Sequence, residues 1–210
     1  MLNIQDFFTA CTGVWKTERT YHYVLAGEIE RSYTEFRVKG LTSDQKQQIL
    51  STSVLNGIKI ELASNDQISQ LPGFAIAFDT RSETGATVSM SLQALFVPDT
   101  YVATSSVTEL LPPLAAQVDP LGETIAGFYL RDEGYSEAGA IAGRFTYQPM
   151  RQTLEMTTYY RRSVALDQMR LISPDTRLRT IVTYQRPTSV SEPPSLIDLV
   201  GFGVERKQKL

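Results

Sequence analysis

The charged side chains best placed for chemistry gather in the second half of the chain. Arg131-Asp132-Glu133-Gly134-Tyr135-Ser136-Glu137 is a charged turn that ends on a carboxylate. Gly143-Arg144-Phe145 follows, then Tyr159-Tyr160-Arg161-Arg162, Asp167, and Ser173-Pro174-Asp175-Thr176-Arg177-Leu178-Arg179. Carboxylates such as Glu137 and Asp167 can move a proton, and a guanidinium fork matches a carboxylate with two parallel hydrogen bonds. Strand residues two apart share a face, so Arg177 and Arg179 point together. Facing solvent, they form a hydrated edge and leave Leu178, Thr180 and Val182 to the core. Facing inward, they carry charge into the interior. Periodicity leaves both open, and Glu137 with Arg144 reads equally as a structural ion pair at a hairpin or as a functional pair.

Other chemistries are poorly supplied. His22 is the sole imidazole and Cys11 the sole thiol. That argues against a Ser-His-Asp triad, a His-based zinc or haem site, a Cys-rich metal site and an internal disulfide. His22 sits among tyrosines in a strand and reads as a barrel-wall residue. Cys11 lies on the apolar face of a short helix, where thiols are usually inert. No G-x-S-x-G, Walker loop, H-E-x-x-H or dinucleotide fingerprint occurs. The net charge of −3 argues against non-specific nucleic-acid binding. The first residues lack a basic n-region, and no apolar run reaches bilayer length. These features predict a soluble, cytoplasmic protein.

The elements that must position these residues read as strands. Ile4, Phe7, Phe8 and Cys11 recur at helical spacing within Asn3–Thr12. Strands are expected at Trp15–Leu25, Glu28–Lys39, Ile58–Ala63, Phe74–Thr80, Ala86–Val97 and Tyr101–Val107. Further ones are expected at Thr124–Arg131, Ala140–Tyr147, Thr153–Arg162, Leu166–Ile172 and Arg177–Arg186. Thr42–Val54 reads as a surface helix stopped by Asn56-Gly57. Leu110–Pro120 and Ser189–Ser195 read as loops, and Leu196–Leu210 either covers one end or pairs as a last strand. Turns every 8–12 residues or so indicate an all-β barrel or sandwich. With 210 residues and 42% hydrophobic side chains, one domain over 1–210 is expected.

Gly13-Val14-Trp15 with Arg19 resembles the opening of lipocalin-type barrels, in which the tryptophan closes one end and an arginine packs over its indole. A more specific resemblance extends from it. Gly13-Val14-Trp15-Lys16-Thr17-Glu18-Arg19-Thr20-Tyr21-His22, Ala94–Asp99, Leu130–Glu137 with Gly143-Arg144-Phe145, and Ser173–Arg179 occur in order. Together they resemble the motifs of the S-type phycobiliprotein chromophore lyases, the CpcS/CpeS family.

The resemblance implies a lipocalin-like antiparallel barrel of about ten strands, with a short N-terminal helix and one surface helix. It implies attachment of a linear tetrapyrrole, such as phycocyanobilin, to a cysteine of an apo-phycobiliprotein, with no metal or nucleotide cofactor. A bilin or lipid carrier without activity, and an accessory subunit of an active lyase, are the alternatives. The family's functional carboxylates fall on Glu137 and Asp167, and Arg144 matches an arginine beside them. A wall tryptophan of the family falls near Phe78. Arg19, Arg177 and Arg179 become candidates for pairing with the bilin propionates, Tyr160 for a hydrogen bond to the ligand, and Trp15 for barrel closure. Nothing in the pattern chooses between a lone chain, a homodimer and a heterodimer with a related lyase subunit. The chain departs from the family at Asp167, usually Glu, at Asp175, usually Asn, and at Leu171-Ile172, often Trp-Phe.

Overall fold

Buried Trp15, Thr17 and Arg19 alternate with exposed Lys16 and Glu18 along β1 (Gly13–Tyr23). This period of two marks a strand with one face turned inward. The computed structural model describes residues 1–53, 57–105, 111–113, 122–135 and 137–209. After β1 come β2 (Glu28–Gly40), β3 (Ile58–Ile60), β4 (Gly73–Ser82), β5 (Thr87–Pro98) and β6 (Val102–Ser105). Then follow β7 (Ile125–Arg131), β8 (Ile141–Gln148), β9 (Thr153–Tyr159), β10 (Ser163–Ser173), β11 (Thr176–Gln185) and β12 (Ile197–Lys207).

Ten of these strands close an antiparallel barrel in the order β1-β12-β11-β10-β9-β8-β7-β5-β4-β2. The expected tail thus becomes the closing strand. β12 pairs with β1 on one side and β11 on the other, which leaves the barrel without an open edge. β3 and β6 form a separate two-stranded sheet outside it. That differs from the sequence expectation for Tyr101–Val107, whose last two residues lie outside the described residues.

Helix α1 (Ile4–Cys11) plugs one end of the barrel. Asn3 caps it by accepting from the Asp6 amide at 2.8 Å. Its buried face stacks Phe7 against Tyr147 at 4.9 Å and Phe8 against Phe96 at 4.7 Å between ring centroids. The fully buried Trp15 donates from Nε1 to the Cys11 carbonyl at 2.9 Å, tying the strand to the helix end. Each such buried ring stabilises by about 1.5–3 kcal/mol.

A second apolar layer lies outside. α2 (Ser43–Ser53), α3 (Asn65–Gln70) and the β3–β6 sheet cover β5 and β7, with Ile49, Ile58, Leu71, Leu95, Val97, Phe128 and Leu130 buried between them. α2 is the expected surface helix. Val54 and Asn56, which the sequence placed at its end, lie outside the described residues, as does most of the expected Leu110–Pro120 loop. Short α3 has no long periodic pattern; Ser64 caps it by accepting from the Gln67 amide.

Candidate functional site

Above the rings packed around α1, the barrel encloses a cavity of about 360 Å³. That lies within the usual range for small-molecule sites. Phe36, Phe78, Tyr129, Tyr135 and Tyr160 supply aromatic walls, while Arg19, Arg131, Asp167 and Arg179 supply charge. Of the sequence candidates, Phe78, Arg19, Arg179, Asp167 and Tyr160 therefore meet in one place.

Arg177 and Arg179 both face inward, with Leu178 between them 39% exposed. Their alternation resolves toward the charged interior because β12 brings in a partner, Glu205. Glu205 is fully buried and accepts from Arg19 at 2.8 Å and from Nε of Arg177. Burial alone would raise its pKa, but Arg177, Arg19 and Arg179 outweigh that and pull it down to about 2. Two inward glycines on β12 make room for this cluster. A Cβ on Gly203 would sit 2.8 Å from Thr17 Oγ1, and one on Gly201 would sit 2.6 Å from the Tyr21 ring.

Asp167 and Arg179 form the second pair. Nη2 of Arg179 donates to Oδ2 of Asp167 from the neighbouring strand. Burial opposes the charge on Arg179, yet Asp167 and Glu205 hold its pKa above the ordinary value. Oδ1 of Asp167 is buried without a hydrogen-bond partner among the described residues. It is an unsatisfied acceptor, or when protonated a donor, on a side chain that lines the cavity.

The turn from Arg131 to Glu137 builds the rim. Asp132 accepts from the Gln93 amide at 2.7 Å and Glu133 from the Gly139 amide at 3.0 Å. A Cβ on Gly134 would sit 2.4 Å from the Glu137 carbonyl oxygen, so the turn closes only on glycine. This fold-back lays Tyr135 over the cavity, 6.0 Å from Phe78 and with its ring 4.7 Å from the Arg131 guanidinium carbon. Arg131 is 2% exposed and donates to the Tyr160 hydroxyl at 2.6 Å.

Several expected placements are corrected. Glu137 does not pair with Arg144. Its carboxylate accepts from the Arg161 amide at 2.5 Å, clasping the β9–β10 turn, and does not line the cavity. Arg144 projects from the outer face of β8, bidentate to Asp99 at 2.7 and 2.8 Å and 4.4 Å over the Phe128 ring. The arginine over the Trp15 indole is Arg177, at 4.2 Å, rather than Arg19, which lies over Phe36 at 4.6 Å. Arg177 is thus a closure residue of the packed end. Trp15 sits there too. His22 stands in the barrel wall against Phe202, with 6.0 Å between ring centroids. Burial raises the Cys11 thiol pKa despite nearby Arg177.

Sequence reasoning passed over Arg131, Tyr135 and Glu205. For Glu205 a signal existed: two glycines and a carboxylate at alternate positions, Gly201, Gly203 and Glu205, on one face of a strand. Among the described residues, no group of three or more His, Cys, Asp or Glu is placed to hold a metal ion. No helix among them is long and apolar enough to cross a membrane.

Comparison with known proteins agrees with this architecture. A family model described as CpeS-like protein matches residues 3–109 and 113–207. The chain is 39% identical over 201 residues to a protein of Synechococcus sp. (strain JA-3-3Ab) named chromophore lyase CpcS/CpeS 1, covering 96% of this chain and 94% of that one. It is 24% identical over 181 residues to the chromophore lyase CpcS/CpeS of Thermosynechococcus vestitus, covering 86% and 84%. In fold it resembles the S-type phycobiliprotein lyase CPES of Guillardia theta, with a TM-score of 0.65 at 15% identity, covering 100% of this chain and 94% of that one. A barrel stoppered by α1, an aromatic and arginine-lined cavity, and a family match along nearly the whole chain converge: this chain belongs to the CpeS-like family.

Proposed function

We propose that the protein is a bilin lyase: it receives a linear tetrapyrrole in its barrel and promotes attachment to a cysteine of an apo-phycobiliprotein. The observation that carries this reading is the cavity itself, in which aromatic walls enclose the buried Asp167–Arg179 pair and its unpartnered carboxylate oxygen. Flat conjugated rings suit the Phe78, Tyr129 and Tyr135 faces. Pyrrole N–H groups suit a buried carboxylate acceptor.

In the attachment step the acceptor thiol adds across a conjugated double bond of the bilin. The S–H bond breaks, a C–S bond forms, and the proton ends on carbon, so no oxidant or reductant is consumed. The electrophile strengthens when the pyrrole system is protonated. Asp167, held by Arg179, is assigned to stabilise that cation and to shuttle its proton. The nucleophile comes from the partner, which suits a chain whose own thiol is buried at the end of α1. Glu137 is assigned a positioning role, holding the β9–β10 turn and the rim that carries Tyr135.

The test mixes the protein with phycocyanobilin and an apo-phycobiliprotein and follows covalent, fluorescent adduct. Asp167→Asn is expected to keep bilin binding while slowing attachment by about 10²–10⁴-fold, the usual contribution of proton transfer. Unchanged attachment would remove Asp167 from the mechanism. Tight bilin binding with no adduct above the enzyme-free rate would leave the protein a carrier.

A further inference from the structure

We infer that Arg131 is the clamp for one carboxylate of the chromophore, an assignment that rests on the bilin reading above. Three interior arginines have a carboxylate partner: Arg19 and Arg177 share Glu205, and Arg179 holds Asp167. Arg131 is as deeply buried, yet no carboxylate lies within 4.0 Å of it among the described residues. Its neighbours in sequence are spent elsewhere, Asp132 on the Gln93 amide and Glu133 on the Gly139 amide.

The surroundings of Arg131 are built for a cation with a missing counter-ion. The rings of Tyr129, Tyr135 and Tyr160 stand 5.2, 4.7 and 5.8 Å from its guanidinium carbon. Ring faces favour a cation, but they do not satisfy the N–H bonds that radiate in the guanidinium plane. One of those goes to the Tyr160 hydroxyl, while Nε is buried and unpartnered. A buried charge without a partner is costly, and a ligand carboxylate would remove that cost.

Charge counting points the same way. Arg19, Arg131, Arg177 and Arg179 set against Glu205 and Asp167 leave two positive charges uncompensated inside the barrel. A ligand with two carboxylates closes that balance. Arg131, which lines the cavity and has no carboxylate partner among the described residues, takes one of them.

The test compares biliverdin, which carries two free propionates, with its dimethyl ester, which has none. Wild-type protein is expected to bind the diacid about 10- to 100-fold more tightly, as for a charged hydrogen-bonded pair. Arg131→Met should lose the part of that preference owed to one carboxylate and bring the diacid closer to the ester. Arg131→Lys, which keeps charge but loses the fork, should fall between the wild type and Arg131→Met. If the wild type binds both forms equally, or Arg131→Met keeps the full preference, the assignment is overturned while the bilin reading stands. If the wild type binds neither form, both fall. Should Arg131→Met fail to fold, an undiminished diacid preference in Arg131→Lys would overturn the clamp.

Discussion

Asp167 and Arg179 meet across neighbouring strands, with Oδ2 accepting from Nη2 while Oδ1 stays buried and unpartnered. The carboxylate is therefore anchored by one oxygen and left unsatisfied at the other. Removing Arg179 should leave a buried negative charge without compensation and cost about 3–5 kcal/mol. Arg179→Met combined with Asp167→Asn should be less destabilised than the sum of the single changes, because the second change removes the orphaned charge. Denaturant unfolding of the four proteins measures the coupling, and strict additivity would mean that the pair is not made.

Glu205 should give the barrel a distinctive acid sensitivity. Its pKa is held at about 2, against an ordinary 4.5, chiefly because Arg177 and Arg19 overcome the penalty of burial. Unfolded chains then bind the proton first, so this stabilisation is complete above about pH 4.5 and is lost as pH falls toward 2. A shift of this size corresponds to stabilisation on the order of 3 kcal/mol. Urea midpoints measured down through that window should fall in the wild type, and the difference from Glu205→Gln should shrink. A difference that stays constant with pH would refute the account.

Gly203→Ala tests whether the inner face of β12 must stay bare. The added methyl would meet Thr17 Oγ1 at 2.8 Å, the Glu18 carbonyl at 3.0 Å and Arg19 Cγ at 3.1 Å. Two of these belong to the wall that holds the Arg19–Glu205 pair. Overpacking of this kind costs about 1–3 kcal/mol. Thermal melting should register that loss, and bilin affinity should fall with it as Arg19 is pushed toward the cavity.

The two residues displaced from the cavity should behave differently from Asp167. Arg144→Gln loses a half-exposed pair with Asp99, worth about 1 kcal/mol or less, and should leave bilin absorbance intact. Glu137→Gln weakens the clasp on the Arg161 amide and should slow attachment far less than Asp167→Asn does. Stopped-flow binding and adduct yield, measured on each variant separately, distinguish the roles. Equal defects at Glu137 and Asp167 would place both carboxylates at the reacting atoms.

The barrel was legible because turn residues and β-formers alternate at short intervals, and because Trp15 stands next to a helix with a clear apolar stripe. The inward faces were harder to read. On β12 the apolar Phe202 and Val204 are exposed, while Gly201, Gly203 and Glu205 point inward. A hydrophobic-in reading would invert that strand, because the interior there is ionic. Leu178 misleads in the same way beside Arg177 and Arg179. On β7 the pattern fails for another reason. Phe128 and Leu130 are buried under the outer helices while Tyr129 and Arg131 face the cavity, so both faces are covered and the alternation is silent. Ordered motifs pointed to the candidate residues, but the split of Glu137 and Arg144 from Asp167 depends on strand geometry that no spacing encodes.

The helix stopper closes one end of the barrel among the described residues. Trp15, Phe7 and Phe8 seal the end where α1 sits, and the cavity opens toward the hairpins at Tyr135, Ser163 and Thr183. A bilin held as proposed would enter and leave by the same side, so the end that enters last is the end an acceptor meets first.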